Sequence, residues 1–301
     1  CMNTEQVVIN EVGPRDGLQT QARTLTVDQR LQLIEALMEA NLRHLEVGSF
    51  VSPKAVPQMA NTDQLLARLP GDGGAQFSVL IPNIKGFELA AAAGATVVAV
   101  VVSATETMNQ RNINMSLEET LDTARAIIGL GHERGIRVQA YLSVAFECPF
   151  EGCVPAGVVL EQADQLVGWG ADELVIADTI GAADPAAVRG LMNSLVETHG
   201  AAPLACHFHD TRAMGLANVF AAIESGVRRF DSSVGGLGGC PFAPGARGNV
   251  ATEDVVMMCE QMGLATGVDM PALLRAVDLV SELTGAAQGG RAHYWLSNNA
   301  A

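Results

Sequence analysis

The sequence predicts an α/β fold: one (β/α)8 barrel of eight parallel strands alternating with helices, followed by a short C-terminal helical extension. Three observations lead there. The chain has 301 residues, 49% hydrophobic and only 17% charged, so it can bury one large core and is too apolar for a disordered segment. A unit recurs along it, made of a helical stretch, a Gly or Asn, two or three residues and a short β-branched run. No linker-like stretch separates these units, so 1–301 reads as a single domain, with the barrel over about 5–262 and the extension over about 263–301.

The strands expected, in order, are Val7–Asn10, His44–Val47, Phe77–Ile81, Val97–Val102, Arg137–Leu142, Glu173–Ala177, Leu204–His209 and Arg228–Ser232. Six of the eight follow a punctuating residue, namely Asn41, Gly94, Gly135, Gly170, Gly200 and Gly226. Such residues end helices because they tolerate the left-handed backbone. Patterned helices lie between strands at Val27–Glu39, Leu117–Glu133, Val158–Gly168, Ala186–Thr198 and Leu216–Glu224. Strands separated by helices must pair in parallel through right-handed crossovers, and eight such units close into a TIM barrel. An open doubly wound sheet would carry a phosphate-cradling glycine loop after its first strand, and Gly13-Pro14-Arg15-Asp16-Gly17 lacks that spacing. A further helix is expected over Pro271–Leu283, and the Gly/Ala-rich polar tail beyond it carries no readable chemistry.

The net charge of −15, from 18 Lys plus Arg against 33 Asp plus Glu, argues against nucleic-acid or membrane-surface binding. A local cationic cluster can still receive an anionic substrate. The opening residues hold no basic segment followed by an apolar one, so no targeting peptide is expected. The longest apolar run, Leu89–Val102, has 14 residues interrupted by Gly94, too short to span a membrane. Six cysteines without paired zinc spacing fit free thiols in a reducing compartment, and a cytoplasmic location is expected.

In a barrel of this kind the C-terminal ends of the strands converge on one face. Those ends carry Glu11 and Arg15-Asp16, then Glu46 and Ser49, then Asp178-Thr179, then His207-Phe208-His209-Asp210, and finally Asp231-Ser232-Ser233. His207 and His209 are two apart on a strand, so both rings point to one face as metal ligands would. Alone, such a pair is as readily two polar residues at a strand end; carboxylates at neighbouring ends favour the ligand reading. Asp16 is the best oxygen partner, and a mixed imidazole and oxygen set suits Mg²⁺ or Mn²⁺. Cys206 turns to the opposite face and reads as a small buried side chain.

Between Gly235 and Asn249 lies a loop with six glycines. That much backbone freedom is costly unless the segment moves or approaches a ligand closely. Its spacing does not fit a nucleotide cradle, because Pro241 stands where a glycine is needed. Cys240 on this loop is an acid/base thiol or a bystander. Arg15 and Glu46 form either an ion pair at the barrel mouth or an enolate-stabilising pair, since a guanidinium keeps its proton. Asp178 orders the cluster or caps the following helix.

Four segments together resemble the 3-hydroxy-3-methylglutaryl-CoA lyase family: Glu11 through Gln19, Ser49–Lys54 with Val56–Met59, His207-x-His209-Asp210-Thr211, and Gly235–Asn249 with Ala251–Asp254. The resemblance runs from about Val8 to Asp269. It implies a metal held by Asp16, His207, His209 and Asn249. It further implies that Arg15 polarises a thioester carbonyl, Glu46 orients Arg15, and Cys240 moves a proton. The reaction implied is retro-Claisen cleavage of a 3-hydroxy-3-methylglutaryl thioester to acetyl-CoA and acetoacetate, with His207 as the base for the tertiary hydroxyl. An acyl-CoA substrate and a homodimer or higher homo-oligomer follow from the same resemblance. Lys54, Lys85 and Arg111 are candidate CoA-phosphate contacts with no spacing rule to choose among them. The chain departs from the family pattern at Arg212-Ala213-Met214, at Gln139, where a basic residue is usual, and at Arg247. These departures leave room for a citramalyl-CoA or longer-branched hydroxyglutaryl-CoA lyase, or a condensing synthase. A catalytically silent binding barrel is the rival from another class.

Overall fold

The computed structural model describes residues 5–71, 74–239 and 248–299. Eight parallel strands close into a barrel: β1 (Val8–Glu11), β2 (His44–Ser49), β3 (Gln76–Leu80), β4 (Val97–Ser103), β5 (Arg137–Ser143), β6 (Glu173–Asp178), β7 (Leu204–Phe208) and β8 (Arg229–Ser232). Each strand pairs with its neighbours in the chain, and β8 returns to β1 with Val8 opposite Arg229 and Glu11 opposite Ser232. The expected TIM barrel is therefore the fold observed. A two-stranded hairpin, Glu147–Cys148 with Gly152–Cys153, stands beside the mouth after β5.

Outside the barrel run α1 (Val27–Glu39), the short α2 (Thr62–Leu66), α3 (Ile84–Ala92), α4 (Glu106–Ile113), α5 (Leu117–Arg134), α6 (Ala156–Gly168), α7 (Pro185–His199), α8 (Gly215–Glu224), α9 (Thr252–Gln261), α10 (Met270–Thr284) and α11 (His293–Asn299). The local chemistry explains their limits. α1 and α5 each begin with a reciprocal capping box, Thr26 with Gln29 and Ser116 with Glu119. The six punctuating residues all adopt positive φ, from +63° at Asn41 to +97° at Gly226. α3 gives no periodic signal because Leu89–Ala93 is uniformly apolar, but Asn83 caps it by accepting the Gly86 N–H at 3.0 Å.

Inside the barrel, side chains fill layers. Ala99, Tyr141, Val175 and Ala205 form a small apolar layer from β4, β5, β6 and β7. Gln139 and Glu173 sit lower, with Arg229 joining them. Cys206 faces outward, buried against Met192 of α7 at 3.8 Å. α10 packs on α1, and the tail then returns over the barrel: the Gly289 N–H donates to the Gly235 carbonyl at 2.9 Å and that of Gly290 to Glu253 at 2.7 Å. Polar composition had hidden this docking, because it runs through main-chain N–H groups rather than apolar side chains.

Candidate active site

The segment after β1 folds into a single wide turn, Gly13–Gly17, in which the Val12 carbonyl accepts the N–H groups of Arg15 and Asp16 at 3.1 and 2.8 Å. Gly13 is required there, since a Cβ would lie 2.6 Å from Glu11 Oε1. Glu11 itself accepts the Gly13 N–H at 2.8 Å, the Val234 N–H at 2.9 Å and the Thr252 hydroxyl at 2.6 Å, tying this turn to the root of the Gly-rich loop. Burial pushes Glu11 up to about 7 against the pull of those bonds.

The turn delivers two side chains to the mouth. Arg15 is buried; its Nε donates to Glu46 Oε2 and its Nη1 to Asp16 Oδ1, both at 2.7 Å. Its Nη2 is bonded to nothing among the described residues. The two carboxylates keep Arg15 protonated despite burial. Burial alone would raise Asp16, but Arg15, His207 and His209 outweigh it and hold the carboxyl well below the usual range. Gln19 and Asn249 complete the grip on Asp16, at 2.9 Å to Oδ1 and 2.7 Å to Oδ2.

β7 delivers the imidazoles. His207 and His209 are both buried, with ring centroids 5.1 Å apart. Candidate ligand atoms of Asp16, His207 and His209 all lie within 4.8 Å of one another. His209 pairs through its backbone with Asn249, which brings the asparagine beside Asp16. His209 Nδ1 and Asn249 Oδ1 are buried without a partner. A cation would complete both atoms, and burial, which brings His209 down to about 4, keeps its imidazole neutral as a ligand must be. One carboxylate, two imidazoles and an amide oxygen form a mixed set suited to a hard divalent cation. The residues present therefore fit a metal.

A cavity of about 860 Å³ opens over this cluster. Arg15, Asp16, His207 and His209 stand on its β1 and β7 side, whereas Leu80, Val101, Met108 and Ile113 give the β3 and β4 side a largely apolar wall that also carries Asn83 and Asn112. β8 lies between β1 and β7 and opposite β4 in the ring, and β7 lies opposite β3.

Arg15, Asp16, Glu46, His207, His209 and Asn249, all anticipated from the sequence, are thus brought together. Asp178 is placed differently from the rest, its two oxygens accepting the N–H groups of Ala182 and Ala183 at 2.9 and 3.0 Å in the turn after β6. Cys240 and Arg247 lie outside the described residues. Of the possible phosphate contacts, Lys54 and Lys85 are exposed, and Arg111 stacks over Phe150 at 5.5 Å. Gln139, a departure from the family pattern, lies in the barrel floor rather than at the mouth, donating to Glu173 at 2.9 Å, and the positive charge there comes from Arg229. Arg212 does stand at the mouth side, paired with Glu147 of the hairpin at 3.0 Å.

Two residues of the cluster escaped sequence reasoning. Asp231 accepts the Tyr141 hydroxyl at 2.9 Å and lies 2.9 Å from His207 Nδ1, and Tyr141 lines the cavity. Asp231 at a strand end was the one available signal.

Residues 6–280 match the family described as HMGL-like. The chain is 44% identical over 288 residues to a hydroxymethylglutaryl-CoA lyase of Pseudomonas mevalonii, covering 96% of each. The crystal structure of a hydroxymethylglutaryl-CoA lyase from Pseudomonas aeruginosa is similar at a TM-score of 0.94 and 40% identity, covering 99% of both chains. An HMG-CoA lyase from Acinetobacter baumannii, in complex with coenzyme A and 3-methylmalate, gives a TM-score of 0.92 at 34% identity, covering 99% of this chain and 96% of that one.

Proposed function

The chain belongs to the HMGL-like family and is a carbon–carbon lyase, and from that premise we propose that it cleaves 3-hydroxy-3-methylglutaryl-CoA to acetyl-CoA and acetoacetate. The observation that carries this reading is the convergence of Arg15, Asp16, His207 and His209 on one cavity with a largely apolar far wall, with Asn249 bonded to Asp16 behind it. A thioester bearing a tertiary hydroxyl, a carboxylate and a methyl group matches that division.

Mg²⁺ or Mn²⁺ held by Asp16, His207, His209 and Asn249 would lower the pKa of the tertiary hydroxyl and neutralise the substrate carboxylate. Transfer of the hydroxyl proton to a base at the mouth lets the C2–C3 electron pair move onto the thioester fragment, leaving a ketone at C3 and an enolate at C2. Arg15 is built to hold the enolate oxygen. Nε and Nη1 are fixed by Glu46 and Asp16, so Nη2 is aimed without further reorganisation. Glu46 acts through Arg15, because its one bonded oxygen sets the plane of the guanidinium. Cys240 is assigned the proton that C2 receives, which completes acetyl-CoA. With Asp231 on Nδ1, His207 has one nitrogen left; a ligand role uses the nitrogen that a base role would need.

The test is acetyl-CoA release from 3-hydroxy-3-methylglutaryl-CoA by the purified protein with Mg²⁺, with Mn²⁺ and with EDTA. Release with either ion and its loss in EDTA is the expected result. No release under any of the three conditions would sink the reading, and Cys240→Ala turning over like the parent would sink the thiol's role alone.

A further inference from the structure

One carboxylate inside the barrel serves three other strands. Asp231 on β8 is 2% exposed and has no Lys or Arg ion-pair partner among the described residues. Its Oδ1 accepts Asn10 Nδ2 of β1 at 2.7 Å, and its Oδ2 accepts the Tyr141 hydroxyl of β5 at 2.9 Å. The same Oδ2 lies 2.9 Å from His207 Nδ1 of β7.

An ionised carboxylate can only accept, so the hydrogen of this contact must sit on Nδ1. The imidazole is then committed to one tautomer, with its lone pair on Nε2, the nitrogen turned away from Asp231. Tyr141 also stacks edge-on against the ring at 6.3 Å, which limits its rotation. His209 has nothing comparable: no side-chain hydrogen bond holds its ring among the described residues. The two imidazoles of the cluster are therefore unequal: one is held from behind by a charge, the other only by its strand.

We infer that Asp231 is a positioning residue for the metal centre, fixing the His207 ring and its Nδ1–H tautomer so that Nε2 is presented to the cation. This rests on the metal reading of the site given above. Partners of this kind raise ligand basicity as well as orienting it, and their loss weakens metal affinity by about 10- to 100-fold. Asn10 bonds the same carboxylate without touching His207, so it separates orientation of the ring from general bracing of the strands.

The experiment measures Mn²⁺ binding alone, with no substrate, by electron paramagnetic resonance of the unbound ion. The proteins are the full chain and its Asp231→Asn, Asp231→Ala, Asn10→Ala and Asp16→Ala variants, alongside ¹⁵N spectra of the histidine rings before metal is added. Asp231→Asn and Asp231→Ala are expected to weaken Mn²⁺ by about 10- to 100-fold, while Asn10→Ala binds close to the parent. The parent spectrum is expected to carry the His207 proton on Nδ1, and Asp231→Asn, whose amide can donate to the ring, to lose that signature. Asp231 variants binding Mn²⁺ like the parent, or Asn10→Ala weakening it as much as they do, would overturn the inference. If the Asp231 variants fail to fold, the parent spectrum decides, a proton on Nε2 of His207 being the overturning result. A parent with no Mn²⁺ site that Asp16→Ala removes would overturn the metal reading itself, an outcome distinct from the others.

Discussion

Two clusters of buried charge stand at opposite ends of one barrel and are built differently. At the floor, Glu173 uses both carboxylate oxygens, one on Gln139 and one on Arg229, and it does not line the cavity at the mouth. At the mouth, Arg15, Glu46, Asp16 and Asn249 bond one another but leave Glu46 Oε1, His209 Nδ1 and Asn249 Oδ1 buried and unbonded, and Arg15, Asp16 and His209 line a cavity of about 860 Å³. The floor's own unbonded atoms, Gln139 Oε1 and His44 Nδ1, belong to residues that do not line that cavity. Each buried polar atom without a partner costs about 1–3 kcal/mol. An unpartnered His209 nitrogen on a residue that lines a cavity together with Asp16 is therefore a ligand-shaped deficit, and burial of charge by itself is not the mark of a site.

Removing one arginine from each cluster gives the largest expected contrast. Arg15→Gln keeps a polar side chain but loses the fixed charge beside the reacting oxygen, and acetyl-CoA release should fall by about 10²- to 10³-fold. Arg229→Gln strips Glu173 of its charged partner, away from the chemistry. Turnover should stay near the parent value, while urea unfolding should register a loss of about 1–3 kcal/mol. A large turnover defect in Arg229→Gln with an unchanged unfolding curve would break the distinction between the two ends.

Metal removal sharpens it from the other side. A cation that binds only the folded chain stabilises it by about 2.7 kcal/mol when present at 100 times its dissociation constant. Scanning calorimetry should therefore show EDTA lowering the melting temperature of the parent and of Arg229→Gln alike, and leaving Asp16→Ala unmoved. An EDTA shift that survives in Asp16→Ala would place the cation elsewhere.

The sequence made the mouth legible and the floor almost invisible, for a physical reason. Strand ends are marked by their own alternation and by the punctuation before them, so Asp16, His207 and His209 could be put on one face without coordinates. Asn249 could not, since it reaches Asp16 through a backbone pairing with His209 that no local pattern announces; it came from resemblance to known lyases. The Gln139, Glu173 and Arg229 set depends on which residues of β5, β6 and β8 share a layer, a property of barrel closure rather than of any one strand. The tie from Asp231 to His207 crosses between two strands in the same way. Among the helices missed, α3 and α4 are only nine and eight residues long, too short to show a period.

The smallest expected effect concerns protons beneath the mouth. Burial holds Glu11 at about 7, well above its ordinary 4.5, although Thr252 and the Val234 and Gly13 N–H groups pull it down and Glu253, itself pushed to about 7, adds repulsion. Through the window between 4.5 and about 7 the folded chain keeps a proton at Glu11 that the unfolded chain has released. The folded state then binds more protons, so stability is greatest on the acid side of the window and falls as pH rises through it. Glu11→Gln cannot titrate, and its carbonyl can still accept from the Val234 and Gly13 N–H groups. Its unfolding free energy should lose less than the parent's between pH 5 and pH 7.5, by on the order of 1 kcal/mol. The floor provides the control. Glu173 is also raised by burial, but Arg229 and Gln139 pull it back, so Glu173→Gln should flatten the same curve less. A Glu173→Gln effect as large as that of Glu11→Gln would mean that the floor carboxylate is as poorly compensated as the mouth's, and the two ends of the barrel would differ only in the cavity above one of them.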